Sequence, residues 1–216
     1  LLHGWYLAMG PSLFSLRLFS VLWGIVGVAI AYALGRRLLG QRQAAWMGSF
    51  LLAISRFHIE WSQEIKMYAM VSALSMLSLL LAVELARAAA HERDESAGAA
   101  KEAKSQRERR KWLALWAAYV ATTVLAAYTH YVAFLVVAAQ NIALVMWFLS
   151  SRRRRRWGRL LFYWAASQVV VAACVLPWFL LHAEHSVTWA PSAPQPFAEM
   201  VRMVATLLAV GTSLHV

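Results

Sequence analysis

Seven apolar runs separated by short polar stretches constrain this chain more than any other feature. They fall at roughly residues 12–35, 43–57, 65–86, 112–129, 132–149, 157–181 and 197–214. Backbone placed in hydrocarbon must satisfy its own hydrogen bonds, so such runs fold as helices that cross or enter a bilayer. Crossing a core of about 30 Å takes about 20 residues at about 1.5 Å per residue, and most of the runs are that long. The second is short, so "SRFHIEW" either continues it or dips back into the membrane interface. Only 14% of the 216 residues are charged while 61% are hydrophobic, too few charges to cover a soluble surface. The expected fold class is all-α: a polytopic integral membrane protein with about seven transmembrane helices, forming one domain over residues 1–216. The opening "LLHGWYLAMG" and the closing "LLAVGTSLHV" read as interrupted segments, so the domain is expected to be incomplete at both ends.

The placement of charge gives the orientation. Loop 36–42 carries Arg36, Arg37 and Arg42, loop 87–111 carries eight Lys and Arg, and loop 151–159 carries "RRRRR" and Arg159. The alternate loops, around 58–64, 129–131 and 182–196, hold almost none, with Arg56 and Lys66 at their edges. By the positive-inside rule the basic loops face the cytoplasm of a cell (inner or plasma) membrane. The net charge of +11 is thereby explained by topology and by contact with anionic membrane lipid, and nucleic acid is not an expected partner. Residues 87–111, rich in Ala and alternating in charge, read as a mobile or partly helical cytoplasmic linker. A single cysteine, Cys174, rules out a disulfide within the chain.

Chemistry is therefore expected at the other face. Three stretches meet there: "FHIEWSQEIKMYAM" (57–70), "YTHYVAF" (128–134) and "LPWFLLHAEHSVTWAPSAPQP" (176–196). They bring His58, Glu60, Glu64, Lys66, Tyr68, His130, Tyr131, His182, Glu184, His185 and Trp189 to one surface. If residues 60–68 are helical, Glu60 and Glu64 share a face. A local Glu64–Lys66 ion pair is the plainer alternative. His58 and His130, with Glu60 or Glu64, leave a divalent metal open, but their spacing does not define a ligand set, and hydrogen-bonded interface histidines account for them better. Tyr68, Tyr131, Trp178 and Trp189 could stack on a flat ligand face, and an aromatic belt explains such residues equally well. No glycine-rich phosphate loop supports a nucleotide site.

Residues 17–70, "RLFSVLWGIVGVAIAYALGRRLLGQRQAAWMGSFLLAISRFHIEWSQEIKMYAM", resemble the membrane glycosyltransferases of the GT-C superfamily. The similarity is to the branch of protein O-mannosyltransferases, lipid A aminoarabinose transferases and rhizobial galacturonosyltransferases. The later "YTHYVAF" and "LPW" pieces also fit, and "SQEIKMYA" is the most specific. The resemblance implies transfer of a sugar from a polyprenyl-phosphate carrier, as co-substrate, to an outer-face glycan, lipid or protein. It gives a phosphate or active-site role to Arg17, whose bland alternative is a side chain snorkelling to the headgroups. It also adds Gln63 and Tyr68 to the substrate-binding candidates His58, Glu64, Lys66, His130 and Tyr131. Arg56 departs from the family's usual Pro, Glu60 from an apolar residue, and Lys66 from Arg, replacing a bidentate fork with a point charge. The family's acidic catalytic residue lies in a first outer loop that would precede Leu1. The only Asp here, Asp94, falls in the cytoplasmic linker, so this chain alone is expected to be inactive. A transporter or lipid-flipping protein, or a non-catalytic membrane subunit, are the alternatives. The first would place ionisable groups near the bilayer midplane, where these helices carry few.

Overall fold

A computed structural model describes residues 2–91, 101–150, 158–186, 196, 198–199 and 201–202. Among them are helices α1 (Leu2–Met9), α2 (Leu13–Leu39), α3 (Arg42–Ile54), α4 (Arg56–Gln63), α5 (Tyr68–His91), α6 (Lys101–Thr129), α7 (Ala133–Ser150) and α8 (Gly158–Ser186). No strand occurs among the described residues. The all-helical expectation therefore holds, while the count of seven crossings does not follow from helix length and apolarity. Among the described residues, four helical stretches are long and apolar enough to cross a bilayer: Leu13–Leu39, Tyr68–Ala88, Arg109–Thr129 and Leu160–Trp178. The apolar part of α7, Ala133–Leu149, is shorter, and most of segment 197–214 lies outside the described residues.

The second apolar run shows why length is a poor guide here. Helix α3 stops at Ile54, and Ser55 takes an extended conformation (φ −63°, ψ 120°). The Ser55 side chain then accepts from the His58 N–H at 3.5 Å, an N-cap that starts α4. The run is thus a broken helix that doubles back along α2, its two halves stacked end to end. Ala45 of α3 meets Gly35 of α2, and Ser62 of α4 meets Gly24.

That return makes α2 and α5 parallel. Ser20 reaches the Lys66 carbonyl at 3.5 Å at one end, and Gly27 packs on Ala73 and Met76 midway. At the other end Arg37 pairs with Glu84 at 2.5 Å, and the Arg87 guanidinium donates to the Arg37 carbonyl. Arg36 and Arg37 sit in the last turn of α2 before the left-handed Gly40 (φ 68°), where positive charge suits the helix dipole. Helix α6 runs back against α5, burying Met70, Val71 and Leu74 with Ala126 at one level and Ala82 and Leu85 with Tyr119 and Val120 at another. Helix α8 lies parallel to α6, with Trp116 donating to Ser167 at 2.8 Å and the Tyr128 hydroxyl to the Cys174 carbonyl at 2.6 Å.

Between these helices runs a chain of uncharged polar groups. Ser78 and Thr123 share a 2.8 Å hydrogen bond. Gln140 donates to Ser78 at 3.1 Å and accepts from the Tyr119 hydroxyl at 3.0 Å. Gln168 donates to that hydroxyl at 3.4 Å and accepts from Asn141 at 3.1 Å, and Asn141 accepts from Trp164 at 2.7 Å. The helices α5, α6, α7 and α8 are fastened to one another by side chains that a lipid environment could not satisfy. The described parts of the expected linker 87–111 are helical, as the ends of α5 and α6, and Asp94 lies outside the described residues.

Candidate functional site

The end of the bundle opposite Arg36, Arg37 and Arg87 is built by the 63–68 turn and by the α6–α7 turn. Helix α4 ends at Gln63, and Glu64 is its extended C-cap (φ −79°, ψ 146°). Helix α5 begins only at Tyr68. Glu60 and Glu64 therefore do not share a helical face, because the chain straightens between them. The plainer alternative is what forms: Lys66 Nζ lies 2.7 Å from Glu64 Oε2.

That ammonium also sits over two aromatic rings, 5.1 Å from the Trp61 centroid and 5.9 Å from that of Tyr68. The rings form a row: Phe57–Trp61 at 5.9 Å, Trp61–Tyr68 edge-on at 4.5 Å, Tyr68–His130 at 5.4 Å and His130–Tyr131 at 4.3 Å. A cation over aromatic faces is held by their quadrupoles, and Lys66 keeps half of its side chain open to the surroundings. The Glu64 carboxylate, by hydrogen bond and by charge, holds the Lys66 pKa above its ordinary 10.5. Its positive charge is thus permanent at physiological pH.

His130 is the row's imidazole. Its Nδ1 accepts the Val132 N–H at 3.2 Å, which leaves the proton of the neutral ring on Nε2. Partial burial pushes its pKa below 6.5. Tyr131 is 72% exposed and stands at the rim.

The structure thus gathers Lys66, Tyr68, His130 and Tyr131 with Glu64, and puts Gln63 on the exposed last residue of α4. His58 does not join them. Its ring turns inward against α2, with Nε2 3.2 Å from the Gly24 carbonyl, the hydrogen-bonded interface histidine of the plainer reading. Arg17 is exposed on the second turn of α2 and makes no hydrogen bond or ion pair among the described residues. It lies one turn before Ser20, whose hydroxyl reaches the Lys66 carbonyl. No three His, Cys, Asp or Glu converge on a metal-sized site among the described residues. The side chains of His182, Glu184 and His185, and the whole of Trp189, lie outside the described part; Trp178 packs edge-on against Tyr128 at 5.8 Å. Trp61 is the member that sequence reading passed over. Its signal was the aromatic spacing of Phe57, Trp61 and Tyr68 around the charged turn.

Residues 1–95 match the family described as dolichyl-phosphate-mannose-protein mannosyltransferase, a span that holds α1 to α5 and the Lys66 turn. The match covers a little under half of the chain. It supports a membrane glycosyltransferase of the GT-C type in general terms, in accord with helices long and apolar enough to cross a bilayer. No curated protein and no solved structure matched the chain.

Proposed function

We propose that this chain forms part of a glycosyltransferase that takes a sugar from a polyprenyl-phosphate donor. It passes the sugar to a glycan, lipid or protein acceptor at the end of the bundle opposite the basic loops, on the outer face of the cell membrane. The observation that carries this reading is the permanently charged, half-open Lys66 ammonium seated on the Trp61 and Tyr68 rings.

In such a transfer the bond from the anomeric carbon to the phosphate oxygen breaks, and one to the acceptor oxygen forms. Negative charge grows on the departing phosphate, and a fixed cation at low dielectric lowers that barrier. Lys66 offers the charge as a compact point and Arg17, exposed near the same end, as a fork suited to two phosphate oxygens. The aromatic row beside Lys66 offers faces on which a sugar ring can lie. Deprotonation of the acceptor is assigned to none of the described residues.

The test is transfer from a labelled polyprenyl-phosphate sugar by the protein expressed from its complete open reading frame. Lys66→Ala and Arg17→Ala are each expected to lower turnover by about a hundredfold or more, the usual cost of removing one charge-stabilising group. Unchanged transfer by both variants would sink the site assignment.

A further inference from the structure

We propose that the groove between α2 and the broken α3–α4 helix holds one anionic glycerophospholipid of the basic-side leaflet, its phosphate on Arg36 and Arg37. The groove has a volume of about 530 Å³ and follows α2 from Val21 to Tyr32, walled on the other side by Trp46, Ala53 and Ile59. The eleven helical steps from Val21 to Tyr32 are roughly 16 Å long, and one leaflet's share of a ~30 Å hydrocarbon core is about the same. The groove therefore has the reach of one acyl layer.

Away from the Tyr32 and Trp46 rings its wall is apolar in effect although Ser49, His58 and Ser62 line it. His58 is tied to the Gly24 carbonyl at 3.2 Å, Ser62 donates to the Ile59 carbonyl at 2.8 Å and Ser49 to the Trp46 carbonyl at 3.0 Å. With those groups satisfied internally, the wall suits a hydrocarbon chain and has little to offer a polar ligand.

At the basic end Tyr32 also lines a second cavity of about 440 Å³, with Ala33, Arg36 and Arg37. The Tyr32 and Trp46 rings, 5.4 Å apart, mark the junction, as aromatic side chains do at the level of lipid headgroups. Three guanidinium groups gather at this end against one carboxylate. Arg37 is paired with Glu84 and Arg87 is spent on the Arg37 carbonyl, while Arg36 is exposed and has no partner among the described residues. A phosphodiester supplies the missing negative charge in the planar geometry a guanidinium favours. The phosphate end of the site lies at the far end of the bundle from Lys66, and lipid retention is read without any transfer assay, so the proposal stands whether or not the transferase reading does.

The experiment is native mass spectrometry of the full-length protein from nanodiscs of equal phosphatidylglycerol and phosphatidylcholine. One phosphatidylglycerol per chain is expected to survive release. Arg36→Gln should lower its retention about fivefold, the worth of one arginine beside anionic lipid, and Ala29→Phe, which fills the groove without changing charge, should lower it as far. Equal retention of both lipids, no retained lipid (as when another helix fills the groove), or retention unchanged in both variants would overturn the proposal. So would displacement of phosphatidylglycerol by an equimolar polyprenyl phosphate. Arg36 is an exposed residue at a helix end, so its variant keeps the test informative should Ala29→Phe fail to fold.

Discussion

At the residue scale Lys66 and His130, whose pKa values are shifted in opposite directions, answer pH in opposite ways. Lys66 has its pKa raised by Glu64, so its ammonium stays charged at lower pH and loses its proton only as pH rises through a value above 10.5. Anything that depends on its charge should be flat from about pH 6 to 9. His130 has its pKa lowered by burial. The unfolded chain therefore binds that proton more readily, and stability falls as pH drops from the ordinary value of about 6.5 towards the folded one. Protonation of Nδ1 also ends its bond with the Val132 N–H, which holds the α6–α7 turn. The melting temperature of the wild type should thus drop more between pH 7.5 and 5.5 than that of His130→Phe; equal drops would show that the ring does not titrate in that window. A contact pair such as Glu64–Lys66 was legible in the sequence because its members are two residues apart. The inward turn of His58 was not, since it depends on a carbonyl of Gly24, thirty-four positions away.

At the element scale, small residues on α2 decide how close its neighbours come. Ser15, Ser20, Gly24 and Gly27 are its buried residues, and a β-carbon on Gly24 would lie 2.8 Å from Ser62 Cβ. Gly24→Val should push α4 off α2, cost about 1–3 kcal/mol as overpacking does, and free His58. Thermal unfolding in detergent measures the loss, and Ser62→Gly added to Gly24→Val should recover part of it. Gln140 ties α7 to two neighbours, since it serves both Ser78 and Tyr119. Gln140→Leu takes one partner from each of two buried hydroxyls, leaving Ser78 with Thr123 and Tyr119 with Gln168, and should cost about 1–2 kcal/mol, near the upper end for a bilayer hydrogen bond; a change within error would mean that the neighbours re-pair. Apolar runs announced α2, α5, α6 and α8 from the sequence, because hydropathy is a local property. The break at Ser55 and the network through Tyr119 and Gln140 were hidden. A serine cap in an apolar run looks like any small residue, and the polar partners stand on four separate runs.

At the scale of the whole molecule, the contacts force an alternation that helix lengths alone leave open. Since α2 runs parallel to α5 and α6 parallel to α8, the short pieces α3–α4 and α7 must each carry the chain back. The ends of these elements therefore sort into two sets. Gln63, Tyr68 and Tyr131 fall in one, and Arg36, Arg42 and Arg109 in the other. Charge bias points the second set to the cytoplasm, and the proposed transfer needs the first outside. Single cysteines placed at Gln63, Tyr131, Arg42 and Arg109, in a Cys174→Ser background, test both statements in intact cells with a membrane-impermeant maleimide. Cys174 is exposed and unpaired, so the background change removes a reactive thiol and leaves the Tyr128 bond to the Cys174 backbone carbonyl in place. Positions 63 and 131 should label at once, and positions 42 and 109 only after permeabilisation. The reverse pattern would keep the fold and move the Lys66 site to the cytoplasmic face, against an outer-face transferase. Labelling of 63 and 131 from opposite sides would break the parallel pairing itself, because Tyr68 and His130 could not then stack in one membrane-embedded chain.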